Sequence, residues 1–172
     1  MRRMELIVRQ DGATGAVLNC GQRSFRAAVG AGGIGVKRAE GDGITPVGVF
    51  PLRKVLFRAD RITVPPTHLP ASALVPDDGW CDAPNDPAYN EMVKLPHRAS
   101  AETLWRIDSL YDLLVVLGFN DAPVVAGAGS AIFLHIASAD YRSTQGCIAL
   151  AGDDLLAVVA LLATGDTIAI TS

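Results

Sequence analysis

The chain has 172 residues, 49% hydrophobic and 19% charged, enough to bury a sizeable core and far from the composition of a disordered segment. With 15 Lys and Arg against 18 Asp and Glu, the net charge of −3 leaves no basic excess for a phosphate-binding face, so no nucleic-acid partner is expected. Cys20, Cys81 and Cys147 form no C-x-x-C pair and no dense framework, so free thiols are expected.

At the N-terminus only Leu6, Ile7 and Val8 separate Glu5 from Arg9, too few for the apolar core of a signal peptide. The longest apolar run, Leu155 to Ala163, is nine residues, against the roughly 20 that a spanning helix needs. The expectation is a cytoplasmic protein without a membrane segment, the alternative a periplasmic one whose leader has been removed.

Short extended segments come first, at Glu5 to Arg9, Ala16 to Asn19 and Ser24 to Val29, followed by a loop carrying Gly30, Gly32, Gly33 and Gly35. Glu40 to Pro51 holds three glycines and two prolines, and Val49 to Leu56 resumes a strand pattern. Arg61 to Pro96, with seven prolines, reads as a long irregular surface excursion. Ser100 to Trp105 predicts a short helical turn without a complete capping box.

Leu113 to Gly118 and Ala131 to Ile136 are apolar, β-branched runs that suit buried strands, and Thr167 to Thr171 supplies one more. Between them Gly152 to Ala163 predicts the one substantial helix: Asp153 and Asp154 suit its N-terminus, Leu155, Leu156, Val159 and Leu162 recur at helical spacing, and Gly165 marks a stop. Residues 1–172 are thus expected to form a single, mainly β domain with one helix near the C-terminus and long irregular loops.

The chemistry concentrates on His135, at the end of a predicted strand, and Cys147, twelve positions later after Gly146. A thiol needs a base to become a nucleophile near neutral pH, and an imidazole within hydrogen-bond reach serves. That pairing predicts a low-pKa Cys147. Gly146 allows a tight turn, and N–H groups from Gln145 to Cys147 could hold an oxyanion. On spacing alone, a lone Cys and His more often pack than react. His68, His97 and His135 form no ligand-spaced pair with another His or Cys, so neither a metal nor any other cofactor is expected.

Ile132 to Ala137 followed by Ser143 to Leu150 resembles the L,D-transpeptidase catalytic-domain family, also called YkuD-like. Further blocks extend the resemblance: Lys37 to Phe50 is similar to the family's Gly-x-Thr-Pro-x-Gly segment, and Gly79 to Asn90 and Leu104 to Leu113 look like blocks of one bacterial branch. It implies a β-sandwich or barrel whose Cys147 is the nucleophile, His135 the base and Gly146 part of the oxyanion turn. It also implies a peptidoglycan stem peptide or muropeptide as substrate. The thioester formed at the third stem residue would go to water, in an L,D-carboxypeptidase of muropeptide recycling, or to an amine, in an L,D-transpeptidase making 3-3 cross-links; a catalytically silent binder is the remaining alternative. Water is favoured.

Many family members carry an arginine two positions after the nucleophile, where this chain has Ala149. Arg142, Arg38 and Lys37 are the candidate replacements. Gln145 and Thr144 are candidate substrate contacts, as are Tyr89 and Asn90 on the cleft wall. Trp105, Tyr111 and Asp112 are expected to anchor the core, and a backbone carbonyl to orient His135.

Overall fold

The structure, a computed structural model, describes residues 3–172. Strands β1 (Glu5–Gln10), β2 (Gly15–Cys20) and β3 (Arg23–Ala28) form an antiparallel meander in which alternate residues, among them Leu6, Val8, Leu18 and Phe25, point into one core. Two short strands, β4 (Ile34–Gly35) and β5 (Thr45–Pro46), pair in parallel and tie the ends of the intervening glycine-rich loop together. Strand β6 (Gly48–Phe57) is the longest, and β7 (Ala71–Ala73) lies parallel along it.

Next come β8 (Asp78–Cys81), β9 (Met92–Lys94) and β10 (Ala101–Thr103), a separate three-stranded sheet with β8 in the centre. Strands β11 (Leu113–Leu117), β12 (Phe133–Ile136) and β13 (Ile148–Leu150), helix α1 (Gly152–Val159) and β14 (Thr167–Thr171) complete the fold. The large sheet runs β11-β12-β13-β3-β2-β1-β14-β6-β7, and β11 also pairs with β6. That last pairing closes a barrel-like ring and, of the nine strands in this sheet, leaves β7 outside it.

Both faces of β11 are buried, which explains its unbroken apolar run. Leu113, Val115 and Leu117 enter the main core with the helix residues Leu155, Val158 and Val159, while Leu114 and Val116 face outward into a second cluster with Phe133, Trp80, Leu104, Tyr111 and Cys147. The small sheet thus covers one outer flank of the ring, and the nucleophile candidate sits at the edge of that covered region.

Three local expectations are corrected. The segment expected as a helical turn at Ser100 to Trp105 contains β10, because Ala101 pairs with Cys81 and Thr103 with Gly79, and that long-range pairing overrides a cap-like local signal. The excursion from Arg61 to Pro96 contains β7, β8 and β9. Helix α1 ends at Val159 rather than Ala163: Leu161 and Leu162 donate to carbonyls three residues back, and the Leu162 carbonyl accepts from the His68 N–H at 2.9 Å, which draws the chain out of the helix.

Candidate active site

Strands β12 and β13 run parallel, with Leu134 opposite Ile148 and His135 opposite Ala149. Alternation sends Leu134 and Ile148 into the barrel and leaves Phe133, His135 and Cys147 on the outer side. His135 and Cys147 thereby line one cleft of about 700 Å³, the size of a single-ligand site. The sequence motif is brought together by strand register.

The thiol is held from two sides. Phe133 N–H donates to Cys147 Sγ at 3.3 Å, and the S–H donates to Ala131 O at 3.2 Å rather than to the imidazole. Only 8% of Cys147 is exposed. Burial above all, and then the Glu102 carboxylate, pushes this thiol up to about 12, although Phe133 N–H and the Lys37 ammonium pull it back. Burial and the S–H bond to Ala131 O thus oppose the low-pKa thiol expected from the sequence, and a short motif carries no information on burial.

His135 Nδ1 lies 2.9 Å from Ile136 O. A carbonyl only accepts, so Nδ1 carries the proton and Nε2 is left as the basic nitrogen. The orienting backbone carbonyl expected from the sequence is this one. Burial is the main reason His135 is lowered to about 4, partly offset by the bond to Ile136 O. Tyr111 stacks edge-on against His135 at 5.2 Å and against Phe133 at 5.8 Å, so it both anchors the second core and walls the cleft.

Thr144 braces the turn before Cys147: its Oγ1 donates to Cys147 O at 2.6 Å and accepts from Gly146 N–H at 3.1 Å. Of the N–H groups from Gln145 to Cys147 expected to face an oxyanion, that of Gly146 is engaged by Thr144. What the position requires is glycine's backbone, with φ +137° and a hypothetical Cβ only 3.0 Å from Ile44 O. Behind it, a Cβ on Gly30 would lie 2.1 Å from Gly43 O and 3.2 Å from Gly146 Cα. Gly30→Ala must therefore displace the Gly43 carbonyl, and it also crowds the turn that carries Gly146 and Cys147. Slower product release is expected, since small misplacements of reacting groups cost rate; a variant whose product release, followed by mass spectrometry, matches wild type contradicts this.

Gln145 and Arg142 line the cleft, Arg142 at its rim with 76% of its side chain exposed. Arg38 does not line it: the side chain is exposed outside, and its backbone N–H donates to Asp42. Tyr89 and Asn90 are corrected as well. Both are buried behind the cleft wall, Tyr89 donating to Glu40 and accepting from Gly129 N–H, Asn90 joining four partners. Their polar atoms are engaged inside the protein.

Glu40, Asp82, Glu102, Arg106 and Asp108 also line the cleft and were missed as site residues. Tyr111 O–H donates to Glu102 at 2.5 Å, and burial raises that carboxyl above its ordinary value despite this bond. Arg106 forms a two-pronged ion pair with Asp108 at 2.7 and 2.8 Å. A cleft with walls of both signs suits a zwitterionic ligand.

Away from the cleft, Cys81, Asp86 and His97 bring ligand-type atoms within 4.8 Å of one another, a grouping that sequence spacing does not show. The Asp86 carboxylate accepts from Arg98 and from Ala88 N–H, both at 2.8 Å, and His97 Nε2 stands 3.3 Å away without hydrogen-bond alignment. The guanidinium occupies the carboxylate, so the cluster works as an ion-pair clamp on its loop.

The ring of strands, with a cysteine and a histidine delivered to one cleft by adjacent parallel strands, defines a cysteine–histidine domain. The chain belongs to the YkuD family, the L,D-transpeptidase catalytic domain, whose family model matches residues 6–170. Comparison with curated proteins finds no match. Among solved structures, an L,D-transpeptidase from Mycobacterium smegmatis is 17% identical with a TM-score of 0.43, over 98% of this chain and 59% of that one. L,D-transpeptidase 1 of Mycobacterium tuberculosis is 15% identical with a TM-score of 0.38, over 99% and 62%. The chain therefore spans less than two thirds of either relative.

Proposed function

We propose that this protein is a cysteine-dependent acyl-transfer enzyme that removes the terminal D-alanine from peptidoglycan stem tetrapeptides, with water as acceptor. The observation that carries the reading is the placement of Cys147 and an Nδ1-protonated His135 in one cleft. In this mechanism the thiol turns from Ala131 O, His135 Nε2 takes its proton, and sulfur attacks the carbonyl carbon of the third residue. The C–S bond forms as the carbonyl π electrons move to oxygen. Collapse of that oxyanion breaks the C–N bond, and the leaving D-alanine takes the proton from His135. Water then adds to the thioester, giving a proton to His135, and as the C–S bond breaks the departing sulfur takes that proton back to regenerate the thiol.

Two observations support the L,D-carboxypeptidase form acting on soluble muropeptides in the cytoplasm. A water acceptor needs no second peptide in the cleft of about 700 Å³, a volume in the range of single-ligand sites. All three cysteines are unpaired, which suits a reducing compartment. One observation favours the second reading, an L,D-transpeptidase: Glu40, Asp82 and Glu102 along the same cleft would attract the ammonium of an acceptor stem.

The test is incubation with a soluble disaccharide tetrapeptide, read by mass spectrometry beside Cys147→Ala. Loss of one alanine, abolished in the variant, is the expected result. A dimer joined through third residues establishes transpeptidation instead. An untouched tetrapeptide with no acyl-enzyme mass leaves only the silent binder.

A further inference from the structure

The engaged Gly146 N–H and the alanine at position 149 raise the question of which positive group faces the acyl oxygen. Lys37 answers it geometrically. Its side chain is only 3% exposed, yet it lines the cleft. Its Nζ donates to Asp42 Oδ1 at 2.6 Å and to Ile44 O at 3.3 Å, and it stands 3.6 Å from where a Cβ on Gly146 would be. The stem is fixed as well: a Cβ on Gly129 would meet Lys37 Cε at 2.5 Å.

An ammonium has three donors, and two of these are taken. Asp42 is itself tied down by the backbone N–H groups of Arg38, Ala39 and Ile44, so the whole ion pair is preorganised. We propose that Lys37 is the cationic positioning group of the nucleophile turn, its remaining N–H directed to the oxygen that becomes negative when Cys147 attacks. This rests on the acyl-transfer reading given above. A buried, prebuilt charge aimed at developing charge stabilises a transition state more than a ground state, because no reorganisation accompanies the reaction. Arg142, solvated at the rim, does not meet that condition, and Arg38 lies outside the cleft.

The test compares Lys37→Met, which keeps length and loses charge, with Lys37→Arg, which keeps charge. Two reactions are followed: D-alanine release from the tetrapeptide, and the nitrophenolate burst when Cys147 is acylated by p-nitrophenyl acetate, a neutral ester without stem-peptide features. The expected result is a fall of about 100-fold in kcat for Lys37→Met with KM nearly unchanged, a similar fall in burst rate, and substantial rescue in Lys37→Arg. Equal losses in both variants, accompanied by equal falls in melting temperature, assign Lys37 a structural role only and overturn the proposal. So does a Lys37→Met burst equal to wild type. A wild type that gives the burst but leaves the tetrapeptide intact sinks the substrate reading, while the ester still decides the role of Lys37.

Discussion

Replacing His135 with Gln is expected to lower kcat/KM for D-alanine release by about 10²–10⁴-fold, the usual contribution of a positioned general base. The variant keeps polarity and approximate volume but has no basic nitrogen to accept the Cys147 proton. Wild-type pH dependence carries a second, sharper expectation. His135 must be neutral to act as base, and burial lowers it to about 4, so the acid limb of kcat/KM should fall near pH 4 instead of near 6.5. Because Cys147 is raised to about 12, its thiolate should not titrate through the neutral range, and iodoacetamide alkylation near pH 8 should be slower than for an unburied thiol. A free-enzyme limb near pH 6.5 together with fast neutral alkylation would mean that the pair rests as thiolate and imidazolium.

The same burial makes a stability prediction. Unfolded His135 takes up a proton below about 6.5 and folded His135 only below about 4, so between those values the unfolded chain binds more protons and stability falls with falling pH. The loss amounts to about 3 kcal/mol once pH 4 is reached, and His135→Gln should lack this part of the acid sensitivity.

Much of the ring was legible in the sequence because its physics is local. Leu6, Val8, Ile168 and Ile170 alternate at the strand period, and β14 spans the predicted Thr167 to Thr171. His135 and Cys147 were legible because one lies on a strand and the other just before one, and parallel register alone suffices to bring them to the same flank. The rest depended on partners far along the chain. Glu102 and Arg106 reach the cleft only because β10 pairs with β8, which local propensity at Ser100 to Trp105 does not encode. Lys37 and Arg38 are adjacent basic residues that diverge, one into the cleft and one into solvent, and composition does not say which. Burial, which sets the protonation states of both Cys147 and His135, is also a property of the assembled fold.

Asn90→Leu is expected to be among the most destabilising single changes in the protein. Asn90 is buried at φ +60°, where a branched apolar residue is strained. Its Oδ1 accepts from Trp80 Nε1 and from Ala131 N–H, both at 3.0 Å, and its Nδ2 donates to Phe119 O at 2.9 Å and Asn120 O at 2.8 Å. Leucine leaves two buried donors and two carbonyls without these partners. With about 1–3 kcal/mol for each buried group left unsatisfied, the total loss should exceed about 3 kcal/mol, which lowers the melting temperature by roughly 10 °C in a chain of this size. The consequence reaches the site, because the Ala131 carbonyl that receives the Cys147 S–H belongs to the residue whose N–H Asn90 anchors. Calorimetry of Asn90→Leu should therefore show the drop, and product release at 20 °C, where the variant remains folded, should be reduced as well. Asn90→Asp keeps the acceptor of both N–H groups but sets a carboxylate oxygen against Phe119 O and Asn120 O, so it too should lower the melting temperature, yet at 20 °C it should retain more activity than Asn90→Leu; equal activity in the two variants would show that the anchor on Ala131 has no influence on the thiol.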